Sequence, residues 1–258
     1  MSYGTLYGVG VGPGAPDLLT RRAVRVLRRA NVIVLPRSSP YGVSTAWKII
    51  RSVVHKIPAQ EHLFLTFPMT REPAKHNSAW DKAFAQIGPR LEGGYSVAFA
   101  TEGDPSLYST FIYLQREAQQ RWPGVRVEVV PGVSSIAAVP AVTGVPLADG
   151  LERIAILPAG YGFKDLVEIL NRFDTTILMK IGSEIPNVVR ALEDAGLTDK
   201  AIYVSHATMA QQRIVKDVRQ LHVERGDCFA MIVVSRKQRN GLLAGDVTRD
   251  ATLDKTSE

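Results

Sequence analysis

Residues 97–110 constrain the fold more than any other stretch of the sequence. They open with an uninterrupted apolar run, which is typical of a strand buried on both faces. A Glu-Gly-Asp-Pro turn follows, and apolar residues then recur at helical spacing from Leu107 to Ala118. We therefore predict a strand that ends at this turn and a helix that begins at Pro105, with Asp104 capping its first turn. The carboxyl end of such a strand is the usual ligand position in an open α/β sheet.

Two further segments have the same order of strand, glycine-containing turn and helix. A predicted strand at residues 6–11 runs into a Gly-Pro-Gly loop, and another at 125–130 runs into Pro-Gly-Val-Ser-Ser. The first loop loosely matches a dinucleotide-binding pattern, but Pro13 and Pro16 remove N–H donors that a pyrophosphate would need. The next strand ends at Arg37 without an acid for a ribose. A dinucleotide cofactor is therefore not expected, whereas Ser134 and Ser135 suit a carboxylate at a helix start.

The alternation of strands and helices restarts after residue 147. Strands are predicted at 153–157, 175–181, 201–206 and 229–235, with helices at 163–172 and 184–195. We predict an α/β protein of two α/β domains, residues 1–148 and 149–240, with a ligand cleft between them and a mobile tail at 241–258. Within the first domain, Pro89 is expected to break or bend a helix near Gly88.

Positive charge is concentrated on one predicted helix. The chain carries a formal net charge of +6, and five arginines lie within nine residues: Arg21, Arg22, Arg25, Arg28 and Arg29. They form the outer face of a helix whose apolar residues point the other way. This pattern is compatible with a solvated surface, with binding of nucleic acid or with binding of a small polyanion.

Composition narrows the class of protein. No apolar run approaches the ~20 residues that cross a bilayer, and no signal-peptide pattern occurs at the amino terminus. Cys228 is the single cysteine, so internal disulfides and cysteine-based metal clusters are excluded. We expect a cytoplasmic protein without a bound metal and without a membrane partner.

Six segments in order resemble the tetrapyrrole methylase family, the class III S-adenosylmethionine-dependent methyltransferases. They are GVGPGAPDLLT (10–20), EGDP (102–105), VVPGVSS (129–135), GVPLA (144–148), LMKIGS (178–183) and HATMAQQRIV (206–215). A narrower resemblance, to the branch that methylates C(20) of precorrin-2 or its cobalt form, rests on LPRS (35–38), FPMTRE (67–72) and Tyr108-Ser109-Thr110. The resemblance implies a homodimer of two-domain subunits that makes S-adenosylhomocysteine as its second product.

The resemblance also implies which residues contact the cofactor, position by position. They are Pro13, Glu102, Gly103, Asp104, Leu107, Ser134, Ser135, Ala207, Ala230 and Met231, with either Met179 or Lys180 against the adenine. The implied substrate is a polycarboxylate tetrapyrrole, for which Arg37 and Arg71 are the preferred partners because guanidinium groups pair carboxylates bidentately.

The chemistry of methyl transfer fits a chain without a strong catalytic group. Positive charge disperses in the transition state, so alignment of the methyl group and the attacked carbon in a dry site supplies most of the gain. No residue is assigned as catalytic. Asp104 and Tyr108 are the candidates to accept the proton that leaves the attacked ring carbon.

Two alternative functions stay open at this stage. One is methylation of another tetrapyrrole, such as uroporphyrinogen III, by which other branches of the family act. From a different class, the basic charge suggests a nucleic-acid-binding protein, although the sequence lacks the interleaved aromatic residues that stack on bases.

Overall fold

The first unit of the computed structural model is built on a five-stranded parallel sheet. The structure describes residues 3–54, 57–68, 70, 72–221 and 229–237. The strands of this first sheet are β1 (Thr5–Gly10), β2 (Val32–Arg37), β3 (Glu61–Thr66), β4 (Val97–Thr101) and β5 (Arg126–Val130). They lie in the order β3-β2-β4-β1-β5, so the first strand of the chain is flanked by the two last strands of its sheet.

Helices cover both faces of this sheet, as a parallel sheet requires. They are α1 (Arg21–Arg29), α2 (Thr45–Val54), α3 (Pro73–Glu92), α4 (Phe111–Arg121) and α5 (Ser135–Thr143). One core contains residues of α1 and α2 with alternate strand residues such as Val9 and Ile33. The other contains residues of α3 and α4 with the intervening strand residues such as Leu6 and Phe99. The sheet is therefore buried between two apolar layers, and its strand ends are left for a ligand.

A second sheet has five strands, in the order β6-β7-β10-β8-β9. Its strands and the helices between them are β6 (Ile154–Pro158), α6 (Phe163–Arg172), β7 (Thr175–Met179), α7 (Ile185–Asp194), β8 (Ala201–Ser205), β9 (Arg213–Val215) and β10 (Ala230–Ser235). Most of these residues belong to the second unit, whereas residues 204–205 of β8 and 213–214 of β9 belong to the first. The pairing of β7 with β6 is parallel and that with β10 is antiparallel. The core on one face includes Leu178, Ile232 and buried residues of α6 and α7.

The chain crosses between these units more than once. The first unit comprises Met1–Gly144 and Val204–Ile214, and the second comprises Val145–Tyr203 and the residues from Val215 onward. The segment Val204–Ile214 therefore leaves the second stretch of sequence and packs with the first. The predicted mobile tail at 241–258 lies outside the described residues.

Of the predicted break or bend near Gly88, the break is wrong, because α3 continues through Pro89 to Glu92. Proline removes the hydrogen bond to the carbonyl four residues earlier, which here belongs to Ala85. Ala85 and Pro89 both lie on the exposed side of α3, where water can satisfy that carbonyl. Proline is therefore tolerated in the last turn of this helix.

Candidate functional site

Three glycines converge where β1, β4 and β5 end. A Cβ added at Gly132 would lie 2.1 Å from the carbonyl oxygen of Gly103, and one added at Gly10 would lie 2.6 Å from the same oxygen. Both distances are far shorter than van der Waals contact, so only glycine fits at Gly10 and Gly132. We call Gly10, Gly103 and Gly132 the glycine junction. It brings three backbone segments to the carboxyl edge of the sheet, where ligands bind in open α/β folds.

The loop after β1 is joined to the loop after β4. The amide of Gly103 donates to the carbonyl of Gly12 at 2.8 Å, and the amide of Gly12 donates back to Gly103 at 3.3 Å. Both glycines have left-handed φ angles, +81° and +64°, which side chains disfavour. Pro13, predicted to contact the cofactor, follows directly and is buried. The loop after β1 is thus held against the loop after β4.

Asp104 connects the β4 loop to the β5 loop. Its Oδ2 accepts the amide N–H of Gly132 at 3.0 Å, and its Oδ1 accepts that of Ser106 at 2.8 Å. Both carboxylate oxygens are therefore engaged with backbone donors. The prediction that Asp104 caps a helix is wrong, since α4 begins at Phe111 rather than at Pro105.

The late start of α4 has a local cause. Tyr108 has a left-handed backbone, with φ of +51°, which no helical residue adopts. The buried hydroxyl of Ser109 accepts the amide of Phe111 at 3.1 Å and lies 2.9 Å from the hydroxyl of Thr101, so it anchors the turn to β4. Leu107, predicted to lie one turn into the helix, is instead part of this turn and is half-buried.

Glu102 faces the start of α2. Its Oε1 accepts the amide N–H of Ala46 at 3.0 Å, in the first turn of that helix, where the helix dipole favours a negative charge. Burial nevertheless raises the pKa of Glu102, and the bonds from Ala46 and from its own backbone oppose that rise. The carboxylate therefore links the β4 loop to α2 at a cost in desolvation.

That cost predicts a pH-dependent effect of Glu102→Gln on stability. A raised folded pKa means that ionised Glu102 weakens folding above pH ~4.5, the unfolded value, and most strongly above the folded pKa. The glutamine variant keeps an oxygen that accepts from Ala46, so we expect it to melt higher than the parent near neutral pH. The difference should shrink as the pH falls toward the unfolded value, in thermal unfolding followed by circular dichroism.

Glu61→Gln provides a control of opposite sign. The hydrogen bond from Arg90 lowers the pKa of Glu61, so its ionised form supports the fold and this variant should lose stability near neutral pH. A Glu102→Gln difference that does not change with pH would contradict the argument.

The start of α5 adjoins the glycine junction. Ser134 caps this helix through its Oγ, which accepts the amide of Ile136 at 3.2 Å. A Cβ placed on Gly103 would lie 3.9 Å from Cα of Ser134 and 4.0 Å from the amide nitrogen of Ser135. In the described part of the chain, neither the amide nor the hydroxyl of Ser135 has a hydrogen-bond partner. These donors and the helix N-terminus suit a carboxylate.

A distant segment covers the first loop. The amide of Ala15 donates to Oγ1 of Thr208 at 3.1 Å, and a Cβ on Gly14 would lie 3.2 Å from the carbonyl oxygen of Ala207. The first unit therefore holds Ala207, predicted to contact the cofactor, beside the loop that contains Pro13. Thr208 was not identified from the sequence, since no local pattern reports a contact across so many residues.

The predicted residues of the second unit lie at the end of β7 and the start of β10. Met179 is the last residue of β7 and pairs directly with Met231, so the two side chains share one face of the sheet. Met179 is half-buried, whereas Lys180 is exposed. Ala230 points to the opposite face and belongs to the apolar core of the unit.

Several described residues share an uncommon backbone conformation. Tyr108, Lys180, His206 and Thr208, which follow strand ends, have φ between 50° and 68°, and Ala59, in the loop before β3, has φ of 59°. This conformation costs roughly 1–2 kcal/mol for a residue with a Cβ, and such strain clusters at functional sites. Four of the five strained residues thus lie in the loops after β4, β7 and β8.

Arg37 is the last residue of β2. Its Nε donates to Oγ1 of Thr66 at 3.3 Å, and its guanidinium carbon lies 5.9 Å from the ring centroid of Phe64. These contacts orient the side chain at the carboxyl edge of the sheet. The other predicted substrate partner, Arg71, lies outside the described residues.

The described residues contain neither a membrane-spanning helix nor a cluster of metal-ligating side chains. No helix there is long and apolar enough to cross a membrane. No three of its histidine, cysteine, aspartate or glutamate side chains are grouped so that they could hold a metal ion.

The chain is similar to known proteins along most of its length. Residues 5–221 match the model of the Tetrapyrrole (Corrin/Porphyrin) Methylases. The chain is 33% identical over 254 residues to the cobalamin biosynthesis protein CobIJ of Mycobacterium tuberculosis. The matched residues make up 95% of this chain but 48% of that protein. The chain thus spans about half the length of that relative.

Two other relatives match along most of their length. The chain is 30% identical to the cobalt-precorrin-2 C(20)-methyltransferase of Salmonella typhimurium, over 91% of this chain and 97% of that one. It is 31% identical to the precorrin-2 C(20)-methyltransferase of a Sinorhizobium species, over 80% and 85%.

Solved structures share the fold at low identity. The cobalt precorrin-4 methyltransferase CbiF matches with a TM-score of 0.67 and 22% identity, over 90% of this chain and 94% of that one. The uroporphyrin-III C-methyltransferase of Thermus thermophilus, in complex with S-adenosylhomocysteine, matches with a TM-score of 0.63 and 23% identity, over 90% and 92%. The predicted fold of two α/β domains is confirmed.

Proposed function

The chain belongs to the tetrapyrrole methylases, and on that premise we propose that it transfers a methyl group from S-adenosylmethionine to C(20) of precorrin-2 or cobalt-precorrin-2. Relatives named for this reaction are 30–31% identical over most of their length. The reaction belongs to cobalamin biosynthesis, to which the name of the longer relative, CobIJ, also refers.

The observation that carries the proposal is the glycine junction with the start of α5 beside it. Gly103 leaves space within 4 Å of Ser134 and Ser135, and Ser135 offers two donors without a partner among the described residues. A zwitterionic amino-acid group fits such a cradle, since its carboxylate would accept these donors. We propose that Gly103, Ser134 and Ser135 hold that end of the cofactor, beside Pro13, Glu102 and Ala207.

An apolar surface in the second unit is proposed for the adenine. Met179 and Met231 lie directly opposite each other on one sheet face, and methionine sulfur packs well against aromatic rings. Lys180 is exposed at a left-handed position after the strand, so its backbone is the better candidate for a contact there. We therefore favour Met179 over Lys180 for the adenine face.

We propose that the residues of the turn after β4 position the bound molecules and do not themselves react with them. When bound, S-adenosylmethionine supplies a methyl group on a sulfonium ion. Asp104 holds two loops together through both of its carboxylate oxygens, and we therefore propose it as a positioning residue. The Tyr108 side chain, 41% exposed on the same turn, is the better placed candidate to contact the substrate. Arg37 is proposed to pair with a substrate carboxylate.

An anaerobic assay with methyl-labelled S-adenosylmethionine tests the function. We expect label in a product methylated at C(20), with S-adenosylhomocysteine as the second product, when precorrin-2 or cobalt-precorrin-2 is supplied. The faster of the two substrates identifies the metal-free or cobalt form as the natural one.

Two controls make the assay decisive. Uroporphyrinogen III tests the alternative branch of the family, and label transferred to it alone would overturn the C(20) assignment. Salt-sensitive binding of RNA without binding of S-adenosylhomocysteine would overturn methyl transfer altogether and favour a nucleic-acid-binding protein.

The proposal includes a homodimer in the cytoplasm. Leu151, Ile154 and Ile156 expose apolar side chains of the second unit, with 80%, 38% and 42% of their surface accessible. An exposed apolar group of this kind supports a contact between two copies of the chain. The composition of the chain, with its single cysteine, is in keeping with a reducing compartment.

A further inference from the structure

A groove on the first unit lies away from the glycine junction. It has a volume of about 420 Å³ and is lined by Tyr7, Arg22, Arg25, Val26, Arg29, Ala30, Ser96 and Glu128. Arg29 and Ala30 end α1, and Ser96 directly precedes β4, so this groove reaches the amino ends of the strands. The glycine junction lies at the opposite, carboxyl ends of the strands. We call the groove at the amino ends the arginine groove.

Charge in the arginine groove is only partly balanced. Arg22 pairs with Glu128 at 3.0 Å, and Glu128 also pairs with Arg126 at 2.8 Å, so the one acid of the groove is already neutralised. Arg25 and Arg29 have no ion-pair or hydrogen-bond partner among the described residues, and the hydroxyl of Tyr7 has none either. Three donors in one groove are therefore available to a ligand.

The first turn of α1 is electrostatically unfavourable. It carries Arg21 and Arg22 and no acid, at the end where the helix dipole disfavours cations, whereas Arg28 and Arg29 lie in the last turn, where the dipole favours them. Arg21, Arg25 and Arg29 repeat at a spacing of four, at which like charges repel. Departures from local rules of this kind are expected where a site needs the residues for binding.

We propose that the arginine groove binds a small ligand with two neighbouring oxyanion groups. Residues four apart on a helix are surface neighbours, so Arg25 and Arg29 can each pair with one of two adjacent phosphate or carboxylate groups. The Tyr7 hydroxyl supplies a third donor. A volume of about 420 Å³ suits a small molecule, and Tyr7 alone provides no row of aromatic rings for bases to stack on. The site does not depend on methyl transfer.

Calorimetric titration with inorganic pyrophosphate and, separately, with citrate tests this site at low ionic strength. We expect one ion to bind per chain, and the double variant Arg25→Gln/Arg29→Gln to bind at least about tenfold more weakly. The ion that binds more tightly tells whether phosphate or carboxylate is the natural group. Glutamine keeps the helix propensity of arginine and both positions are exposed, so the fold should be unaffected.

The double variant Arg51→Gln/Arg116→Gln is the matched control. It removes the same charge from exposed positions on α2 and α4, and we expect it to bind within about twofold of the parent. An equal loss in both double variants would show unspecific attraction to net charge and overturn the proposal. Absence of binding by either ion would overturn it as well.

Discussion

Replacing Gly132 by alanine is expected to abolish binding of S-adenosylhomocysteine and to lower the free energy of unfolding by about 3 kcal/mol. The new Cβ would lie 2.1 Å from the carbonyl oxygen of Gly103 and 2.8 Å from the carbonyl carbon of Gly10. All of these neighbours are backbone, so no side-chain rotation can relieve the clash. The glycine junction must open, and the amide of Gly132 is displaced from Asp104.

Urea unfolding and calorimetric titration with S-adenosylhomocysteine measure the two effects. Gly160→Ala is the matched control, because a Cβ there meets no atom within 4 Å and its φ does not lie in the left-handed region. Retention of parental affinity by Gly132→Ala would show that the cofactor does not use the glycine junction.

The second large effect is expected for Asp104→Ala. The change leaves the partly buried amide of Gly132 and the exposed amide of Ser106 without their acceptor, which costs about 2 kcal/mol, mostly at Gly132. Because the β4 and β5 loops are no longer tied, we also expect a raised Kd for S-adenosylhomocysteine. Asp104→Asn keeps one carbonyl oxygen as an acceptor and should restore part of both losses.

Asp81→Ala provides the comparison for a carboxylate that positions nothing. Its side chain is 73% exposed and makes a single long contact, 3.8 Å, with Arg121, so the variant should stay within about 0.5 kcal/mol of the parent. If Asp104→Ala unfolds and binds like Asp81→Ala, the assigned positioning role is refuted.

Much of the fold could be predicted because it is recorded in local patterns. Short apolar runs between glycine or proline turns indicated the strands, and α6 has the predicted bounds, Phe163–Arg172. Period and turn chemistry are properties of neighbouring residues, so a sequence carries them directly.

The start of α4 could not be predicted in the same way. Pro105 and the apolar spacing from Leu107 favour an early helix, but Tyr108 takes a left-handed backbone and Ser109 bonds to Thr101. That arrangement depends on the buried end of β4. Tertiary contacts therefore override a local preference at this turn.

The contacts that build the candidate site are also long-range. Asp104 meets Gly132 across the sheet, and Ala15 meets Thr208 after most of the chain has intervened. Position-by-position resemblance placed Ser134, Ser135 and Ala207 at the site, and those assignments remain predictions.

The order of strands in the first sheet also affects how the chain is made. β1 is an interior strand, and its two sheet neighbours, β4 and β5, begin at Val97 and Arg126. During synthesis, both hydrogen-bonding edges of β1 therefore stay unpaired until β4 and β5 have left the ribosome. Such non-local pairing slows folding and exposes a growing chain to aggregation. The arginine-rich α1 directly follows β1. Repulsion between the positive charges of α1 on neighbouring nascent chains would keep those chains apart.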